Sequence, residues 1–230
     1  MRYVPVLLAV LFLFTLASNA QTNPRPKPKP TPAVKPVAPK PAIDKGSASG
    51  GTYTNNTFGF EVTFPEPWVI AGDDFDAVAK AKGFDLSLKA PSSLPLTSKT
   101  LLDRSIRNVQ VLLECYRATA GATDNAFVRV SVEDLTANPQ IQDAVDYFDA
   151  VRAMYKSMKL PIDFSYGETQ AEKLGKKQFG YLDTLSKAGK KRMYATVRDR
   201  NAILITISYT NDSDLQTLRN VLSEGDFALK

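Results

Sequence analysis

Among the 230 residues there is no histidine. That absence removes imidazole acid–base work, serine–histidine and cysteine–histidine nucleophiles, and nearly every zinc site. The single cysteine, Cys115, lies inside the apolar run 109–116 and can form no internal disulfide. Its neighbours predict a buried thiol that packs as a small hydrophobe. Chemistry would then have to come from carboxylates and lysines. Asp73, Asp74 and Asp76 stand together without the spaced loop partners of a cation site, so they read as the start of a helix, favoured by its dipole. Lys187, Lys190, Lys191 and Arg192 crowd the expected tip of one hairpin, while Lys173, Lys176 and Lys177 crowd a turn one strand earlier. Both groups read as solvated turns, and the first is the candidate contact for an acidic partner. Nothing in the sequence forces two polar residues together, so glycosidase-type and Schiff-base chemistry lack support. Residues 46–51 precede no helix and so make no phosphate loop. No catalytic, cofactor-binding or metal-ligating residue is expected.

Whatever these side chains do, strands and helices must hold them. The strongest strand signal is residues 202–209 (AILITISY), with Ile203, Ile205, Ile207 and Tyr209 on one face and Leu204, Thr206 and Ser208 on the other. An apolar face backed by an intermediate one predicts a central strand covered on both sides. Segments 168–174, 178–186 and 192–198 complete an antiparallel meander with turns at Gly175, Ala188-Gly189 and 199–201. Segments 109–119 and 126–135 read as two more strands joined across 121–125; in the second, Val128, Val130 and Val132 oppose Phe127, Arg129, Ser131 and Glu133. Phe58, Phe60, Val62 and Phe64 alternate in a further strand, with a turn at Asn55-Asn56 and Trp68 at the edge of the core beyond Pro65 and Pro67. Asn55-Asn56-Thr57 also fits a glycosylation acceptor, which a polar turn explains more simply.

Two helices are well marked. One is expected over 139–158, capped by Asn138 and roughly 30 Å long, with the stripe Ile141, Ala144, Val145, Phe148, Val151, Tyr155 and Met158. The other follows a capping box of Ser213 and Gln216, turns Leu215, Leu218 and Leu222 inward and stops at Gly225, before a closing segment with Phe227 and Leu229. Residues 71–107 are expected to hold a helix from Asp73 to Lys82, a helical or extended stretch at 84–90, a loop between Pro91 and Pro95, and a short helix at 100–107.

The N-terminal region has a different composition. Residues 1–20 combine Arg2, an apolar core at 4–16 and the small residues of Ala17-Ser18-Asn19-Ala20, the pattern of a signal peptide cut after Ala20. The core falls short of the roughly 20 residues that span a bilayer and contains Pro5. Residues 24–41 carry eight prolines in eighteen positions, interleaved with lysine. Such a segment forms a stiff, solvated spacer that reaches roughly 50–60 Å at about 3.1 Å per residue. GSASGG at 46–51 is expected to be a flexible joint. The formal charge of +5 belongs to this region, because 22 cations and 23 anions remain once it is set aside. Near-neutrality of the remainder argues against nucleic acid. The chain thus divides into a leader (1–20), a spacer (21–51) and a domain (52–230).

The start Phe58-Gly59-Phe60, Val62, Phe64-Pro65 and Trp68, followed by a long middle helix and a closing strand–helix unit ending in an aromatic, resembles the PsbP-like family. This α/β/α sandwich is shared by the extrinsic photosystem II protein PsbP, a Ran-binding nuclear import factor and bacterial exported proteins of undefined role. The resemblance covers about residues 52–230. It implies an α+β fold, a three-layer sandwich with a central, mainly antiparallel sheet, and brings no catalytic motif or cofactor. The expected function is a noncatalytic accessory or binding protein of the bacterial envelope, exported to the periplasm or secreted. Competing readings are a small-molecule or lipid carrier with a cavity between sheet and helix, and a carboxylate-dependent hydrolase. The expected partners are an envelope protein, or anionic wall polymer or membrane surface met by the basic spacer, with no nucleic acid and no membrane span once the leader is removed.

Overall fold

A computed structural model of the protein describes residues 43–82, 88–90, 94–118, 126–187 and 189–227. The expected leader, most of the spacer, much of the stretch 84–93, the turn at 121–125, Ala188 and Leu229 lie outside the described residues. The chain begins with strands β1 (Ser47–Ser49), β2 (Thr52–Asn55), β3 (Phe60–Thr63) and β4 (Val69–Ile70), then helices α1 (Asp73–Ala81) and α2 (Leu96–Ile106). Next come β5 (Val109–Tyr116), β6 (Phe127–Asp134), α3 (Ala144–Ser157), β7 (Ser165–Tyr166) and β8 (Gln170–Leu174). The meander β9 (Lys177–Ser186), β10 (Gly189–Arg198) and β11 (Asn201–Tyr209) leads into α4 (Asp212–Glu224) and β12 (Asp226–Phe227).

The main sheet runs β4-β5-β6-β11-β10-β9-β7, with antiparallel neighbours throughout. A smaller sheet runs β1-β2-β3-β12. The strand expected at 202–209 lies at the centre of the main sheet, as its two covered faces required. Ile203, Ile205 and Ile207 meet Val128, Val130 and Val132, the small sheet's Phe60, Val62 and Phe227, and Leu218 and Leu222 of α4. On the opposite face Ala202, Leu204, Met193 and Ala195 meet Leu102 of α2 and Tyr147, Phe148, Val151, Met154 and Tyr155 of α3. Each fully buried large side chain contributes roughly 1.5–3 kcal/mol before chain entropy is counted. The fold is therefore α+β, with helices on both faces of an antiparallel sheet and the small sheet sharing the α4 layer. Among the described residues no helix is long and apolar enough to cross a membrane.

Several local expectations are corrected. Residues 46–51 are not a loose joint: Ser47–Ser49 pairs with Thr52–Thr54 as a hairpin, turned by Gly50 and Gly51 at φ 56° and 81°. Helix α3 starts five residues later than expected, because Asp143, not Asn138, caps it, accepting from the Val145 and Asp146 amides at 2.8 and 2.9 Å. Its 14 residues span about 21 Å, and its buried stripe runs through Tyr147, Phe148, Val151, Met154 and Tyr155, leaving Val145 55% exposed. In α4 the cap is Asn211, whose side chain accepts from the Asp214 amide at 2.9 Å; Gln216 turns instead to Asn220 at 2.8 Å. Helix α1 follows Gly72 as its cap, so the aspartates fall inside its first turn. The sequon residue Asn55 is buried, donating to the Asp44 carbonyl at 3.0 Å and accepting from the Phe58 amide at 2.9 Å, which is the turn reading.

Strand β9 is shaped on one side by a helix and on the other by a divided edge. Gly180 of β9 faces α3, and a Cβ there would lie 2.7 Å from the Ala144 Cβ, so the helix approaches as closely as a missing side chain allows. The outer edge of β9 is closed by two separate fragments: β7 pairs at Thr184 and Leu185, β8 pairs from Lys177 to Tyr181, and residues 167–169 interrupt them.

Candidate functional site

Successive side chains of a strand leave on opposite faces, and that parity divides the basic run at 187–192. Lys191 points to the α3 face and is 3% exposed. Lys190 and Arg192 point to the α4 face, where Lys190 Nζ donates to Asp212 Oδ1 at 2.8 Å. Arg192 donates through Nε and Nη2 to the two oxygens of Asp183, each at 2.8 Å, and lies 4.1 Å over the Tyr181 ring. Lys187 alone of the four is exposed. The single solvated patch expected of these residues is thus replaced by three environments. Lys173, Lys176 and Lys177 are exposed at the opposite end of the sheet.

The side chains gathered around Lys191 form the most unusual constellation in the domain. Lys191 Nζ and Arg129 Cζ lie 5.7 and 5.5 Å from the centroid of the Phe127 ring. Arg129, also 3% exposed, pairs through Nε with Glu114 Oε1 on the neighbouring strand. Register makes this possible, since Arg129 stands directly across from Glu114 and Thr206. The other Glu114 oxygen accepts from Tyr116 Oη at 3.1 Å, and the Tyr116 ring stacks on Phe75 of α1 at 4.4 Å. Burial, then the neighbouring Arg129 charge, push the Lys191 pKa well below its ordinary value. An amine so depressed has the electronic character of a base or a nucleophile. Here it is 3% exposed and lies over the Phe127 ring, with further contacts of its own.

A second cluster lies on the α4 face. Glu172 of β8 accepts from Arg219 Nε at 2.8 Å and from Tyr194 Oη at 2.7 Å, with Arg192 Nη1 at 3.4 Å. Burial alone would raise its pKa; hydrogen bonds from Arg219 and Tyr194, and the charges of two guanidiniums, overcome that and hold the carboxyl below the usual range. One carboxylate thereby ties β8, β10 and α4 together. Asp214 of α4 is similarly buried and pairs with Arg117 at 2.5 Å. Cys115 is fully buried on the same face, its thiol pushed up to about 12 by burial. Among the described residues no three carboxylate or thiol side chains converge as a metal site.

Sequence reasoning missed Glu114, Arg129, Glu172 and Arg219. The first pair becomes visible once the register of β5 on β6 is known, since opposite charges then stand directly across the ladder. Glu172 and Arg219 are 47 positions apart and carry no local signal.

No protein-family profile matches the chain, and no curated protein does. Among solved structures the chain is similar to cyanobacterial PsbP (CyanoP) from Synechocystis sp. PCC 6803, at 13% identity and a TM-score of 0.41, over 79% of this chain and 97% of that one.

Proposed function

We propose that the protein is a noncatalytic accessory or binding domain of the bacterial envelope, exported by its leader and carried on the proline–lysine spacer. The observation that carries this reading is the sequestration of its reactive groups. Cys115 is fully buried with its thiol raised, Lys191 is 3% exposed, and Glu133 is 0% exposed. A reaction centre must admit substrate to a group of suitable pKa, whereas these groups are enclosed in the interior. The remainder of the chain suits recognition: a basic segment whose proline–lysine composition fits contact with anionic wall polymer or lipid headgroups, and a near-neutral globule that meets a protein partner.

Cross-linking and affinity capture of the mature protein from its own envelope, with fractionation, test the reading. Recovery of a specific envelope protein, or salt-sensitive retention on wall or membrane through residues 21–42, supports it. Recovery in the cytosol with residues 1–20 intact overturns the export. Release of a stoichiometric small molecule or lipid on denaturation transfers the domain to the carrier reading.

A further inference from the structure

Glu133 is a buried acid that neither the Lys191 cluster nor the Glu172 cluster employs. It stands in β6 between Val109 of β5 and Ala202 of β11, on the face covered by α3, and is 0% exposed. Tyr147, in the first turn of α3, faces it and is 1% exposed. Neither carboxyl oxygen of Glu133 nor the Tyr147 hydroxyl has a hydrogen-bond partner of good geometry among the described residues. The two groups are nevertheless close enough to perturb each other. The Asn138 side chain, in the connection leading to α3, is likewise buried and unpartnered. A polar group placed this way calls for an explanation, because an ionised carboxylate without donors is among the costliest groups to bury.

We propose that Glu133 and Tyr147 form a proton-held latch between the main sheet and α3, closed while the carboxyl keeps its proton and opened when it ionises. Burial, the largest cause, raises the Glu133 pKa; the Tyr147 hydroxyl pulls it back, the Asp134 charge adds to the rise, and the result is about 8. The flanking strands place only Val109 and Ala202 directly across from it. From α3, Tyr155, about two turns beyond Tyr147, adds a smaller charge influence on it and is itself raised by burial. Against these groups a carboxylate formed above pH 8 can be hydrated only if the helix lifts. Tyr147 sits near the start of α3, while Met154 and Tyr155 remain packed further along, so the opening is confined to the connection after β6 and the first two turns of the helix.

The sign of the linkage fixes the test. A group whose folded pKa is raised contributes stability that is fully present below its unfolded value, 4.5, and lost as pH rises through about 8. Urea unfolding of the full chain from pH 5 to 9 should show the unfolding constant of wild type rising, relative to Glu133→Gln, by up to tenfold per pH unit to about pH 8 and then levelling. Hydrogen exchange, corrected for intrinsic rates, should show wild type losing protection at residues 143–148 above pH 8 while Glu133→Gln keeps it. Tyr147→Phe removes the hydroxyl that favours the ionised form, so its transition moves to higher pH. Parallel profiles for wild type and Glu133→Gln, or a Tyr147→Phe transition at unchanged pH, overturn the latch. Should Glu133→Gln fail to fold, the direction of the Tyr147→Phe shift decides.

Discussion

On the α4 face of the main sheet the centre is aliphatic, built from Val130, Ile205 and Ile207, and charges such as Glu172, Arg192 and Asp183 stand around its rim. On the α3 face the ionisable groups are inside: Arg129 and Glu133 of β6 and Lys191 of β10 are buried on the face that also carries Leu204 and Ala195. The first arrangement needs only that apolar residues alternate, and any covering element of suitable shape satisfies it. The second is conditional: the Arg129 charge is tolerable only with Glu114 in register across the ladder, and Glu133 only while its carboxyl keeps its proton. The α3 face is thus the more sensitive to single changes of charge, while both faces, being closely packed, answer to changes of volume.

The sharpest way to break this contrast is Arg129→Met, which strands Glu114 and should cost about 3–5 kcal/mol in urea unfolding. Adding Glu114→Leu should recover most of that loss, because replacing a buried pair with apolar residues is often neutral. A cost under about 1 kcal/mol for Arg129→Met, typical of an exposed pair, would show the buried charges to be energetically idle. On the other face, Glu172→Gln should cost about 1.5–3 kcal/mol through its charge-assisted bonds. Its pH dependence runs opposite to that of Glu133. With a lowered folded pKa, Glu172 adds stability that is present above 4.5 and lost as pH falls through its folded value, and Glu172→Gln should flatten that acid limb. Gly180→Ala drives a methyl against Ala144 and should cost about 1–3 kcal/mol by overpacking, with lost exchange protection in α3 but not in α4. The smallest effect is expected at the β10–β11 turn, where Asp199 and Arg200 hold φ of 48° and 62°. Arg200→Gly should raise stability by about 0.5 kcal/mol, the relief of left-handed strain less the added chain entropy. Since that hairpin underlies both layers, the gain should protect α3 and α4 alike.

Legibility in the sequence divides along the same two faces. The isoleucines at 203, 205 and 207 announce a central strand, and the valines at 128, 130 and 132 announce its partner's apolar face, because alternation is a local property. Arg129, Ser131 and Glu133 look like the solvent face of that strand, yet helices arriving from elsewhere in the chain bury them. The basic run at 187–192 reads as one patch only if strand parity is ignored, and parity alone sends Lys191 to the face opposite Lys190 and Arg192. Caps are misplaced for a subtler reason: Asn138 and Ser213 are acceptable cap residues, but Asp143 and Asn211 are equally good ones a few positions away, and residue type alone does not choose between them. Residues 46–51 read as a joint because glycine marks both flexible segments and tight hairpins, and only pairing with β2 separates the two.

The broken border of β9 has a consequence for the protein at high local concentration. A continuous rim strand offers an unbroken row of amide and carbonyl groups to any other extended chain, and is a common starting point for fibrils. Here that row is cut at 167–169 and its longer half carries Glu172 and Lys173, so a foreign strand finds neither the length nor the neutrality it needs to add on. Restoring a seamless rim across that gap would be the simplest route to turning this fold into an aggregation template.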